Sequence, residues 1–76
     1  MPAMSLIEKI RRTYPDLSQS ERLVADYICE RLPQVSRMSI RELKQAIGVS
    51  EPTVFRFCQA IGFRGFKEFK ISLAEQ

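Results

Sequence analysis

Serine residues placed three positions before a glutamate divide this chain into short segments. In such a pair the serine oxygen accepts the backbone N–H of the third helical residue, and the glutamate bonds back to the serine N–H. Three pairs have this spacing: Ser5 with Glu8, Ser18 with Glu21, and Ser39 with Glu42. A fourth start is Ser50, since the acid and proline that follow it suit a first helical turn. Starts this closely spaced predict short helices.

Apolar residues recur at helical spacing after each start, and no window alternates with period two. We therefore predict helices over 6–13, 19–32, 40–47 and 51–61, a connector over 33–38, and a fifth helix after residue 65. The second helix should bury a stripe of five residues: Leu23, Val24, Tyr27, Ile28 and Leu32. The predicted fold class is all-α, a small five-helix bundle that occupies residues 1–76 as a single domain.

Composition argues against an enzyme. The 76 residues contain no histidine, which is the usual general base and a common metal ligand. The two thiols are too few for a disulfide framework, and Cys58 is predicted on an apolar face while Cys29 points away from one. We expect no catalytic residue, no metal site and no cofactor. No apolar run approaches the roughly 20 residues that span a bilayer, so the chain is predicted to be cytoplasmic, without a membrane partner.

The positive charge is concentrated in one half. Acidic and basic residues balance over residues 1–36, whereas residues 37–76 hold seven basic against four acidic residues, which is the whole net charge of +3. Such an excess is expected where a surface meets a polyanion such as nucleic acid.

The spacing around Gly48 is that of a helix-turn-helix. Glycine takes the left-handed turn, Val49 fills the corner, and Leu43, Val54 and Phe57 hold two helices together. The second of these helices can then lie in the major groove of DNA. The expected topology is winged-helix or homeodomain-like, without a clear wing.

The outer face of the predicted second helix carries the candidate base contacts. Arginine can bind guanine and glutamine can bind adenine through paired hydrogen bonds. Phe55 either touches a thymine methyl group or packs on a neighbouring helix, and the sequence leaves both open. The candidates for base contact are Pro52, Thr53, Phe55, Arg56 and Gln59.

Phosphate contacts need only cations, hydroxyls and free N–H groups near the groove edges. Candidates lie at the starts of two helices and around the last one: Ser39, Arg41, Ser50, Arg64, Lys67 and Lys70. The alternative function is a helical protein-interaction or dimerisation module, for which Leu6, Ile7 and Ile10 can supply an exposed apolar stripe.

Several runs of residues resemble the N-terminal domain of RpiR-type bacterial transcriptional regulators. The resemblance covers about residues 5–74 and is carried by the runs Met38–Leu43, Gly48–Val54, Arg56–Cys58 and Gly62–Lys70. Upstream, the runs Leu17–Ser18, Ser20–Arg22 and Val24–Ile28 are similar to the second helix of the same family. Two departures are Lys44, where an alanine is usual, and the bulky Phe55. Lys44 must therefore extend its stem past the helix crossing.

This resemblance implies a function and a longer protein. It implies sequence-specific binding of double-stranded operator DNA by a homodimer that regulates sugar or sugar-phosphate metabolism, with Ser50, Thr53 and Arg56 on the recognition helix. It also implies that residues 1–76 are the N-terminal part of a chain whose sugar-isomerase-like sensor domain binds a phosphosugar effector.

Overall fold

The computed structural model describes residues 5–75; the remaining residues of the predicted 1–76 domain lie outside this range. A single 3-10 turn, Tyr14–Asp16, accompanies the helices. The α-helices are α1 Leu6–Thr13, α2 Gln19–Glu30, α3 Leu32–Val35, α4 Ile40–Ile47, α5 Glu51–Ala60 and α6 Phe66–Ala74. No strand occurs between residues 5 and 75, so the all-α prediction is confirmed.

The predicted serine caps form at the helix starts. At α2 and α4 both bonds of the capping box are present: Glu42 N–H donates to Ser39 Oγ at 3.1 Å, and Ser39 N–H donates to Glu42 Oε1 at 2.9 Å. The pKa of the Glu42 carboxyl is lowered, because the Ser39 N–H and then the Ser39 hydroxyl bind its charged form.

The predicted end of the second helix is wrong, and the bundle has six helices in residues 5–75 instead of five. Helix α2 ends at Glu30 because Arg31 leaves helical geometry at φ −133° and ψ 40°. The one-turn helix α3 then begins at Leu32 and includes Pro33, which was expected to begin a connector. Proline is tolerated in a first turn because the N–H that it lacks would have no partner there.

One continuous core joins the helices, and it corrects two predictions. Leu6 and Ile10 are 2% and 1% exposed, so the α1 stripe belongs to the core and is not a free interaction surface; Ile7 is half-buried. Leu23, expected inside, is 50% exposed. The buried side of α2 is formed by Val24, Ala25 and Ile28, and Leu23 falls on the opposite side of the helix.

Phe69 connects α6 to the rest of the bundle. Its ring centroid lies 6.0 Å from that of Phe57, 5.7 Å from Phe63 and 6.2 Å from Phe66. The first two pairs are edge-to-face, a geometry in which the electropositive ring edge meets the electronegative face. None of the helices between residues 5 and 75 is long and apolar enough to cross a membrane.

Candidate nucleic-acid interface

Helices α4 and α5 are joined by a tight turn centred on Gly48. This glycine has φ 88°, and its N–H donates to Lys44 O at 2.8 Å. Val49 N–H donates to the same oxygen at 3.1 Å, so the Lys44 carbonyl in the last turn of α4 accepts two hydrogen bonds. Ser50 then caps α5 by accepting Thr53 N–H at 3.3 Å. The turn and both helix bounds agree with the helix-turn-helix prediction, apart from α5, which ends one residue early.

Helix α5 has one buried side and one exposed side. Val54, Phe57 and Cys58 are fully buried, and α5 packs through them against its neighbours α2, α4 and α6. The opposite side bears the predicted base contacts. Pro52, Phe55, Arg56 and Gln59 are exposed, and Thr53 is half-buried.

Two of these side chains are free to bind another molecule. Within residues 5–75, the side chains of Arg56 and Gln59 make no hydrogen bond, ion pair or ring contact. Thr53 is different, since its Oγ1 lies 2.8 Å from Ser50 Oγ in a hydroxyl pair at the start of α5. All side-chain hydrogen-bond donors of Arg56 and Gln59 are therefore available to bind another molecule.

The Phe55 ring lies beside Gly65, where α6 begins. A Cβ atom added to Gly65 would lie 3.4 Å from Phe55 Cε1 and 3.7 Å from Cδ1. The ring nevertheless remains 43% exposed and lines an open depression with Ile40, Glu51 and Pro52. Ile40, the first residue of α4, stays half-exposed in this lining, and the sequence did not single it out as part of the exposed surface.

An ion pair joins the two helices beside this depression. Lys44 Nζ lies 4.0 Å from Glu51 Oε2, with side chains 32% and 56% exposed. The extended Lys44 stem was expected from its position at the helix crossing, but its partner was not. A pair this exposed contributes little stability, and it places the Glu51 carboxylate at the edge of the depression.

The candidate phosphate-binding residues differ in whether they already have partners within the domain. Arg41 and Lys67 are exposed and have no partner within the described residues. Arg64 is exposed, and its backbone N–H donates to Glu68 Oε1 at 3.3 Å. Lys70 is half-buried, with Nζ 5.8 Å from the Phe66 ring centroid. Ser39 and Ser50 both accept a backbone N–H as caps; the Ser39 hydroxyl also contacts the Glu42 carboxylate, and Ser50 Oγ lies 2.8 Å from Thr53 Oγ1.

The cysteines lie where the sequence placed them. Cys58 is buried and Cys29 is exposed, and both are free thiols. Burial raises the pKa of Cys58 to about 12, so this thiol stays protonated and unreactive at neutral pH. Among residues 5–75 there is no cluster of histidine, cysteine, aspartate and glutamate that would hold a metal ion.

A left-handed glycine turn between two packed helices, the second exposing a polar side, defines a helix-turn-helix domain. The chain belongs to the rpiR family of helix-turn-helix domains, whose family model matches residues 4–76. The family inferred from the resemblance is thereby confirmed.

Curated relatives and a solved structure agree with this family. The chain is 45% identical over 71 residues to the HTH-type transcriptional regulator HexR of Pseudomonas aeruginosa and 42% identical over 72 residues to HexR of Escherichia coli; these matches cover 93% and 95% of the chain. It superimposes on the Vibrio vulnificus NanR protein, solved in complex with ManNAc-6P, with a TM-score of 0.90 and 34% identity over 93% of the chain. The chain spans 25% of each HexR and 27% of the NanR chain.

Proposed function

We propose that this chain is the sequence-specific DNA-binding domain of a bacterial transcriptional regulator of sugar or sugar-phosphate metabolism. Helix α5 lies in the major groove of the operator, and α4 braces it across the backbone. The observation that carries this proposal is the exposed side of α5, where Arg56 and Gln59 have unpaired donors directed away from the core.

Base recognition and positioning use different residues. Arg56 binds O6 and N7 of a guanine, Gln59 binds an adenine, and Pro52, Thr53 and Phe55 contact neighbouring base edges. Phosphates are bound around this surface, where the cations set position but do not read sequence. These phosphate-binding residues are Ser39, Arg41, Ser50, Arg64, Lys67 and Lys70.

The proposal extends to the protein from which this domain derives. The chain covers about a quarter of each HexR, and the NanR structure holds a phosphosugar. We infer that the domain is followed by a sugar-isomerase-like sensor domain that binds a phosphosugar, and that the regulator binds its operator as a homodimer.

Selection of bound duplexes from a random pool tests the central proposal. A single enriched motif is expected, and two inverted copies of it at a fixed spacing are expected if two chains bind together. Recovery of duplexes with no common motif, at affinities that depend only on salt, would refute sequence-specific recognition.

Two substitutions separate base reading from positioning. Arg56→Ala should cost about 1–3 kcal/mol of binding free energy and relax the preference at one base pair. Lys67→Ala should weaken all duplexes alike and reduce the slope of log K against log salt by about 1. Arg12→Ala is the matched control, because it removes an exposed arginine from α1. Equal effects of Arg56→Ala and Arg12→Ala would contradict the assignment of α5 to the groove.

A further inference from the structure

The depression beside α5 has an unusual lining for a surface that faces DNA. It is open, with a volume of about 430 Å³, and is lined by Ile40, Glu51, Pro52 and Phe55. It lies between the start of α4 and the first two turns of α5. We propose that this depression receives the 5-methyl group of a thymine, and that Phe55 determines specificity at that base pair. The proposal rests on the proposed function in operator binding.

The lining of the depression is mostly apolar. Three of the four residues have apolar side chains, and Glu51 contributes the single carboxylate. The Phe55 ring lies beside Gly65, where an added Cβ would be 3.4 Å from Cε1. The ring is 43% exposed, so part of it is accessible to an apolar group.

The chemistry of the major groove limits what this surface can bind. Base edges there present hydrogen-bonding atoms and one apolar group, the methyl group of thymine. A phosphate is a poor occupant, because these side chains donate no hydrogen bond and the Glu51 carboxylate repels an anion. Among the groups on the base edges, the methyl group is therefore the one whose chemistry matches the apolar part of this lining.

The charges around the depression favour DNA over a second protein chain as the occupant. Arg41 follows Ile40 and Arg56 follows Phe55, and both arginines are exposed without an ion-pair partner in residues 5–75. Two unpaired cations beside the apolar depression would attract DNA, a polyanion whose major groove carries the methyl groups of thymine. A second copy of this chain would have to bury the same charges against its own basic surface.

Replacement of thymine by deoxyuridine tests the proposal, because it deletes the methyl group and keeps the hydrogen-bonding edge. Each thymine of a duplex selected from the random pool is replaced in turn, and the Kd is measured by fluorescence anisotropy. We expect one position in each half-site to lose affinity by about fourfold, the factor that corresponds to one buried methyl-sized group. In Phe55→Ala the thymine and deoxyuridine duplexes should bind equally at that position.

Two further variants serve as controls for the effect of Phe55→Ala. Phe55→Leu keeps an apolar side chain and should retain the sensitivity to deoxyuridine. Leu23→Ala removes a similarly exposed apolar side chain from α2 and should leave the sensitivity to deoxyuridine unchanged. Circular dichroism melting checks that each variant is folded.

The outcomes distinguish the two proposals. If no duplex is bound with preference, operator recognition itself fails. If duplexes are selected but deoxyuridine has no effect at any position, or if folded Phe55→Ala keeps the full effect, the methyl site is refuted while operator binding stands. A second chain as occupant would appear as self-association of the DNA-free protein that Phe55→Ala abolishes, and this result would also overturn the methyl site.

Discussion

Replacing Gly48 by alanine should destabilise the domain through backbone strain alone. Its φ of +88° lies in the left-handed region, which costs an L-residue roughly 1–2 kcal/mol. A Cβ at this position would meet nothing within 4 Å, so neither a clash nor a new contact enters the difference. Alanine also restricts the unfolded chain, which offsets about 0.4–1 kcal/mol. The net loss expected for Gly48→Ala is about 1 kcal/mol.

D-Alanine at the same position separates these two effects. A D-residue prefers positive φ, so the strain disappears while the restriction of the unfolded chain remains. The domain that carries D-alanine in place of Gly48 should therefore be more stable than the parent by about 0.4–1 kcal/mol. Total chemical synthesis gives both variants, and urea unfolding followed by circular dichroism gives their free energies of unfolding.

Gly65→Ala is the internal control for this experiment. Gly65 has an extended φ of 178°, and its added Cβ would touch Phe55 at 3.4 Å. We expect a smaller change there than at Gly48. The strain argument would be refuted if L-alanine and D-alanine in place of Gly48 had equal effects. In a domain of this size, about 1 kcal/mol corresponds to a melting-temperature shift of about 4–8 °C.

Three other predictions concern single side chains. Burial raises the Cys58 pKa from 9.0 to about 12. The contribution of this thiol to stability is therefore full below pH 9 and falls at higher pH, as the thiol of the unfolded chain ionises. Between pH 8 and pH 10 the free energy of unfolding, measured by urea titration, should fall by about 1.4 kcal/mol more for the parent than for Cys58→Ala. Ser39→Ala removes the cap of α4 and should cost about 1 kcal/mol of stability. Ser39→Asp keeps a cap and should weaken DNA binding, because its carboxylate repels phosphate. Equal DNA affinity of Ser39→Asp and the parent would remove Ser39 from the phosphate contacts. Phe69→Ala should cost about 3–5 kcal/mol while exposed Leu23→Ala changes less than about 0.5 kcal/mol, and similar urea midpoints for the two would contradict the observed core.

Much of the candidate site could be predicted because its signals are local. Gly48 needs only its neighbours to form a left-handed turn, and Val54 and Phe57 follow at helical spacing, so the exposed side of α5 could be predicted from the sequence. Contacts made across the fold could not. The ring of Phe55 lies beside Gly65, and Lys44 pairs with Glu51, because α5 meets the start of α6 and the last turn of α4 at those points.

The sequence alone determined where the four serine-capped helices, α1, α2, α4 and α5, begin. A serine and a glutamate three residues apart satisfy each other's backbone partners, so the starts at Ser18 and Ser39 do not depend on the rest of the molecule. Tertiary structure decided which apolar residues are covered. Leu6 is buried and Leu23 is exposed because burial depends on which helix packs over a residue, and hydrophobic spacing along one helix carries no information about its partner.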